Sequence, residues 1–323
     1  MAYTIDVHLS PEEVRSQMRA DALKGLQGEQ KSIPPVWFYD ERGSRLFEAI
    51  TQLPEYYPTR AERALLEAHA TSIAELSKAD TLVELGAGAC EKTRVLLTAL
   101  QETGTLSRYV PFDVSDEFLR SAVTTLSEEF DSLDIHVVIG DFHHHLAEIP
   151  AEGRRMVAFL GGTIGNLNPT QRARFLFDLN CTMTSDDSLL IGTALVKAQC
   201  RLVAAYDDSA GVTADFNRNV LHVLNEQLGA DFDPDLFRHV ALWNEAEQWI
   251  EMRLRAEEAN EVTLTGAGIT VQFDRGEEML TEISAKFTPA RVESELSDAG
   301  FVVEGMWGAD EGEFLLTLAH PLC

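Results

Sequence analysis

Basic residues are scarce in this chain. Its 323 residues include 26 Lys and Arg against 53 Asp and Glu, a formal net charge of −27. Phosphate-rich partners are held through Lys and Arg clusters, so neither nucleic acid nor an anionic membrane is expected as a partner. Cysteine is scarce too. Cys90, Cys181, Cys200 and Cys323 form no C-x-x-C pair. They read as reduced thiols of a cytoplasmic protein rather than a disulfide framework or a zinc site. No apolar run is long enough to span a bilayer. The opening MAYTIDVHLSPEEV lacks the cationic-then-apolar order of a signal peptide. What remains is 45% hydrophobic and 24% charged, ordinary for a globular protein, and long enough for a full α/β core with a second lobe.

The chain is organised around TLVELGAGACEKTRVLL, residues 81–97. A short apolar strand, Thr81–Leu85, runs straight into Gly86-Ala87-Gly88 and then a helix-patterned segment. That is the opening unit of a Rossmann-like α/β domain. The dinucleotide fingerprint is only half met, because Glu91 stands where G-x-G-x-x-G needs its third glycine. Glu84, at the strand end, would repel phosphates. E-x-G-x-G therefore suits a cationic, phosphate-free nucleoside, with S-adenosylmethionine the candidate. A plain tight turn is the competing reading of this loop taken alone.

Ser10-Pro11-Glu12-Glu13 is a capping box opening a helix to about Leu26. KSIPPVWFYDERGSRLFEAITQLPEYYPTRAE follows, rich in Pro and aromatics and without helical period. Trp37, Phe38, Tyr39, Tyr56 and Tyr57 either pack this segment down or wall a ligand site. Thr59 and Glu62 read as a second capping box, for a helix to about Ser77. Strands are expected at 109–113, 135–139, 155–160 and 188–193. Asp113 ends the first of these, where a carboxylate accepts hydrogen bonds from ribose hydroxyls; capping the next helix is its alternative role, for which Ser115 competes. Gly140-Asp141-Phe142 ends the next, a pattern suited to adenine. Gly161-Gly162-Thr163-Ile164-Gly165-Asn166 is a glycine-rich loop at the edge where open α/β sheets bind ligands. His143-His144-His145 invites a metal reading, but adjacent side chains diverge, so a solvated loop is preferred and no metal is expected.

From Lys197 the strand–helix rhythm stops. Helices at 202–207 and 212–228 precede antiparallel strands at 239–243, 249–256 and 269–273, an inserted lobe. GEEMLTEIS closes it, with Glu282 and Ser284 on one face of an extended segment. That pair could read a ligand N–H or stand on a solvent-facing edge. A helix at 289–299 and strands at 301–307 and 313–319 return to the sheet.

Several of these segments carry a family resemblance. KSIPPVWFYDERGSRLFEAITQLPEYYPTRAE, VELGAGACEKTR, PFDVS, GDF, FLGGTIGN, AYDDSAGVTADFNRNVL, IEM and GEEMLTEIS together resemble the L-histidine Nα-methyltransferases of ergothioneine biosynthesis, over essentially the whole chain. The resemblance implies a Rossmann-like class I methyltransferase core (61–196 plus 287–323) and a second α+β substrate-binding lobe (8–60 plus 197–286). It implies trimethylation of histidine to hercynine, with S-adenosyl-L-methionine as donor and S-adenosyl-L-homocysteine as product. Cofactor contacts are expected from Tyr39, Gly86, Lys92, Asp113, Asp141 and Phe142. Asn166 and Tyr206 are expected at the substrate carboxylate and Tyr39, the catalytic candidate, near the amine. Tyr56, Met252, Glu282 and Ser284 would surround the side chain. Gly162, Ala87, Ala89, Cys90 and Ala194 depart from the family pattern. The expected protein is a cytoplasmic monomer acting on a small amino acid. Tryptophan or tyrosine as substrate, or cofactor binding without catalysis, are the alternatives.

Overall fold

The computed structural model describes residues 3–142, 144–308 and 312–322. The chain runs through β1 (Thr4–Val7), α1 (Pro11–Leu26), α2 (Glu41–Thr51), α3 (Pro58–Ser77), β2 (Thr81–Leu85), α4 (Thr93–Glu102), β3 (Arg108–Asp113), α5 (Asp116–Glu129) and β4 (Asp134–Ile139). It continues with β5 (Arg155–Phe159), α6 (Pro169–Thr182), β6 (Ser188–Ala194), α7 (Gln199–Ala204), α8 (Val212–Leu228), β7 (Phe237–Asn244) and β8 (Trp249–Ala256). Last come β9 (Asn260–Leu264), β10 (Ile269–Phe273), β11 (Glu278–Ala285), α9 (Pro289–Asp298), β12 (Phe301–Trp307) and β13 (Phe314–Pro321). It divides into two compact units, Met1–Leu9 with Pro58–Val196 and Lys286–Cys323, and Ser10–Tyr57 with Lys197–Ala285.

The first unit is built on an eight-stranded sheet in the order β1-β4-β3-β2-β5-β6-β13-β12. Its first six strands are parallel, and β13 runs antiparallel to both β6 and β12. Every residue of β2, β5 and β6 is buried, as expected of strands covered on both faces. From β2 the chain steps outward to β3 and β4, then returns to β5 on the other side. That reversal is a topological switch point, and the loops leaving β2 and β5 stand at it. A strand at Thr4–Val7, pairing in parallel with β4, is an addition that the N-terminal sequence did not suggest.

The second unit holds the three-stranded antiparallel sheet β11-β8-β7 and the hairpin β9–β10, with α1, α2, α7 and α8. It has its own core, including Phe38, Phe216, Leu221, Ile250, Leu254 and Phe273. The core of the first unit is a separate cluster that includes Leu66, Leu97, Tyr109, Val137, Leu190 and Phe314.

Two sequence expectations are corrected here. The Pro- and aromatic-rich stretch contains a helix, α2, whose N-cap Asp40 accepts from Gly43 N at 2.7 Å. Leu46, Phe47 and Ile50 lie on its inward side, a period hidden by the irregular residues before it. The helix α3 begins at Pro58, and Glu62 is not part of a cap. Glu62 falls on the buried stripe with Leu66, Ala70 and Ile73.

Candidate active site

In the first unit, the loop after β2 is shaped by two glycines in the left-handed region, Gly86 at φ 71° and Gly88 at φ 52°. A side chain is strained at either position. Nothing lies within 4 Å of where a Cβ would stand on either residue, so the loop presents bare backbone to open space. Gly86 N donates to Phe112 O at 2.8 Å and Gly88 N donates to Asp113 Oδ2 at 2.9 Å. Ser115 N donates to Asp113 Oδ1 at 2.9 Å. Asp113 is thus locked between two loops. Burial pushes its carboxyl up, against the lowering effect of these amides.

Glu84 is turned into the core. It is buried, accepting from the Thr93 hydroxyl and, at 2.7 Å, from Tyr109 Oη. Burial pushes its carboxyl up to about 7. The reading of Glu84 as a phosphate-repelling charge is therefore corrected: the residue ties β2 to β3 and α4 from within. Cys90 shares this cluster, 3.3 Å from Tyr109 Oη, and burial pushes its thiol up.

Lys92 forms an ion pair with Glu62, which is fully buried. Glu62 also accepts from Gly161 N at 2.7 Å. One carboxylate therefore holds both Lys92, after the β2 loop, and the first residue of the glycine loop after β5. Gly161 and Gly162 are both left-handed, at φ 77° and 70°. They lead into the short helical turn Thr163–Asn166, where Asn166, the candidate for the substrate carboxylate, sits. Asp141 follows β4, and its carbonyl accepts from His144 N and His145 N, each at 2.9 Å. Phe142 packs edge-on to Phe159 and Phe175, with ring centres 5.3 and 5.6 Å away.

His145 bonds the Asp141 backbone and stacks on His8, centroids 6.0 Å apart. His143 lies outside the described residues. Among the described residues no group of three or more His, Cys, Asp or Glu is arranged to hold a metal ion. Cys90, Cys181 and Cys200 are unpaired, and Cys323 lies outside the described residues. No helix among the described residues is long and apolar enough to cross a membrane.

In the second unit, an aromatic chain joins residues far apart in sequence. Tyr39 packs on Phe47 (centroids 5.7 Å), Phe47 on Tyr56 (6.3 Å) and Tyr56 on Tyr206 (6.1 Å). Tyr206 Oη then lies 2.7 Å from Ser284 Oγ. Burial, with the nearby Tyr56 and Glu282, pushes the Tyr206 phenol well above its ordinary value, so it stays protonated. Glu282 stands directly across the β11–β8 ladder from Met252, so their side chains share a face. Glu282 and Ser284 are both buried, which removes the solvent-facing alternative for this pair.

Six expected residues, Tyr39, Tyr56, Tyr206, Met252, Glu282 and Ser284, thus belong to the second unit. Gly86, Lys92, Asp113, Asp141, Phe142 and Asn166 belong to the first. Two residues of consequence escaped the sequence reading. Phe47 links Tyr39 to Tyr56, but its helical spacing looks like ordinary core. Glu62 had a visible signal, a carboxylate on the apolar stripe of α3, masked by its fit to a capping pattern.

Residues 18–321 match the family model described as histidine-specific methyltransferase, SAM-dependent. The chain is 52% identical over 319 residues to the histidine N-alpha-methyltransferase of Mycobacterium tuberculosis (strain CDC 1551 / Oshkosh), with 99% of each chain covered. It is 50% identical over 319 residues to the protein of the same name from Mycolicibacterium smegmatis (strain ATCC 700084 / mc(2)155), again with 99% of each covered. Among solved structures, it is similar to an S-adenosylmethionine-dependent methyltransferase from Clostridium acetobutylicum ATCC 824. The TM-score is 0.50 at 11% identity, covering 86% of this chain and 99% of that one, a likeness of fold. The switch-point loops of the parallel sheet and the match along nearly the whole sequence lead to one conclusion: the chain belongs to the histidine-specific, S-adenosylmethionine-dependent methyltransferases.

Proposed function

We propose that this protein methylates the α-amino nitrogen of L-histidine three times, giving hercynine in the first step of ergothioneine biosynthesis. The observation that carries the reading is the buried group of Tyr206, Ser284 and Glu282 in a chain of this family. A carboxylate and two hydroxyls, sequestered from water, suit a small ligand with ring N–H groups and a carboxylate of its own.

The residues of the first unit fit S-adenosyl-L-methionine. Bare backbone at Gly86 and Gly88 leaves room for a nucleoside, and Asp113 has the acceptor chemistry a ribose needs. Lys92 offers a cation to the one carboxylate of the donor, Asp141 an acceptor to its adenine amine, and Phe142 an apolar wall. When bound, the donor supplies a methyl group already activated on a sulfonium, and leaves as S-adenosyl-L-homocysteine. No metal is called for, because the protein's task is alignment of the amine with that methyl.

The substrate is assigned to Asn166 and Tyr206 at its carboxylate, Tyr39 at its amine, and Tyr56, Met252, Glu282 and Ser284 around its imidazole. Tyr39 orients the neutral amine, whose proton goes to water before each transfer. The quaternary product donates no hydrogen bond, and aromatic faces such as those of Tyr39 and Tyr56 tolerate its charge. One chain carries every residue invoked, and our reading takes the working unit to be a monomer in the cytoplasm.

Glu282→Ala tests the assignment. The variant should lose about 1.5–3 kcal/mol of its preference for L-histidine over L-tyrosine, the worth of a hydrogen bond to a charged group. Competition between the two amino acids reads this directly, and an unchanged preference would rule out the role of Glu282.

A further inference from the structure

A buried relay of hydrogen bonds in the second unit ends at the backbone of Tyr206. The Tyr206 carbonyl oxygen lies 2.8 Å from His239 Nε2. The other ring nitrogen, Nδ1, lies 2.8 Å from Asn217 Nδ2. Asn217 is oriented from two further sides. Its Nδ2 donates to the Arg253 carbonyl at 3.1 Å, and its Oδ1 accepts from the Thr281 hydroxyl at 2.6 Å. Asn217, Thr281 and His239 are all buried, Asn217 completely.

These contacts fix the state of the imidazole. An amide N–H only donates, so His239 Nδ1 must be the acceptor. The ring proton then sits on Nε2 and is donated to the Tyr206 carbonyl. A doubly protonated ring would set two N–H groups against each other at Nδ1. Burial, which pushes the His239 pKa down, favours the same neutral form.

Tyr206 lies in the turn after α7, outside the helix. Its backbone therefore takes its place from contacts such as this one, while its hydroxyl meets Ser284. We infer that His239 is a positioning residue: as the Nε2–H tautomer, held by Asn217, it sets the Tyr206 backbone and so places the Tyr206 and Ser284 hydroxyls for the amino acid substrate. This rests on the proposed function, because it is that reading which puts Tyr206 and Ser284 at L-histidine.

Three proteins and three readouts decide it. In His239→Phe both ring hydrogen bonds are lost, including the one to the Tyr206 carbonyl, so the dissociation constant for L-histidine should rise about tenfold. That for S-adenosyl-L-methionine should stay within about twofold, since the relay touches only the second unit. In His239→Gln the amide N–H can replace Nε2–H as donor to the Tyr206 carbonyl, while the Nδ1 acceptor is not replaced, so L-histidine affinity should be partly restored. Nitrogen NMR of the wild-type ring should show the Nε2–H tautomer, a measurement that needs neither variant to fold. Unchanged L-histidine binding in His239→Phe, equal loss of both ligands, no rescue by Gln, or an Nδ1–H ring would each overturn the inference. Wild-type protein that binds S-adenosyl-L-methionine but not L-histidine would overturn the proposed function, and the inference with it.

Discussion

Glu84 shows how one position can be legible in type and misread in role. The sequence places a carboxylate at the end of the first core strand, and the natural expectation is that it faces whatever the glycine loop binds. In the structure it points inward, to Thr93 and Tyr109. Burial raises its pKa from an ordinary 4.5 to about 7. A raised carboxyl pKa means that the folded state holds the proton more tightly than the unfolded state. Its contribution to stability is therefore complete below pH 4.5 and is lost as the pH rises to about 7. Glu84→Gln keeps an acceptor for both hydroxyls but does not titrate. The melting temperature of the wild-type protein should therefore fall relative to this variant across that window and run parallel above it. A constant difference across the window would show that Glu84 does not titrate as its burial implies. Glu282 and Ser284 present the opposite case. Their spacing already placed them on one face, but only the three-dimensional contact of Ser284 with Tyr206, 78 residues away, makes them part of a group.

At the scale of elements, periodicity was readable where a segment obeys one rule from end to end. Apart from β1, the strands of the first sheet, the glycine loop and the capped helix α1 lie close to where pattern puts them. The helix α2 was hidden because aromatic and proline residues just before it break the pattern. The strand β9 was missed because Val262 and Leu264 are the only apolar residues in Asn260-Glu261-Val262-Thr263-Leu264. Which elements are tied together was not readable at all. Glu62 on α3 holds both Lys92 and the Gly161 amide, at sequence separations of 30 and 99 residues. Glu62→Ala would leave a lysine and a backbone N–H without this partner, at a cost of about 1–3 kcal/mol. It should lower the melting temperature and weaken S-adenosyl-L-methionine binding, because both loops stand at the switch point. A variant with wild-type donor affinity would show that Lys92 and the loop hold their places without Glu62.

At the scale of the whole molecule, the acidic surplus and the two cores describe an enzyme adapted to small ligands. A net charge of −27 disfavours phosphate-rich polymers as partners. Each unit buries its own apolar cluster. The family was legible because its motifs are spread along nearly the entire chain, from the aromatic segment at 31 to GEEMLTEIS. The substrate is the central claim, and one measurement bears on it most directly. Purified protein is incubated with S-adenosyl-L-methionine and an equimolar mixture of amino acids, and the products are weighed by mass spectrometry. The account predicts a single methylated species, L-histidine heavier by three methyl groups. Methylation of a different amino acid in preference to histidine would contradict it.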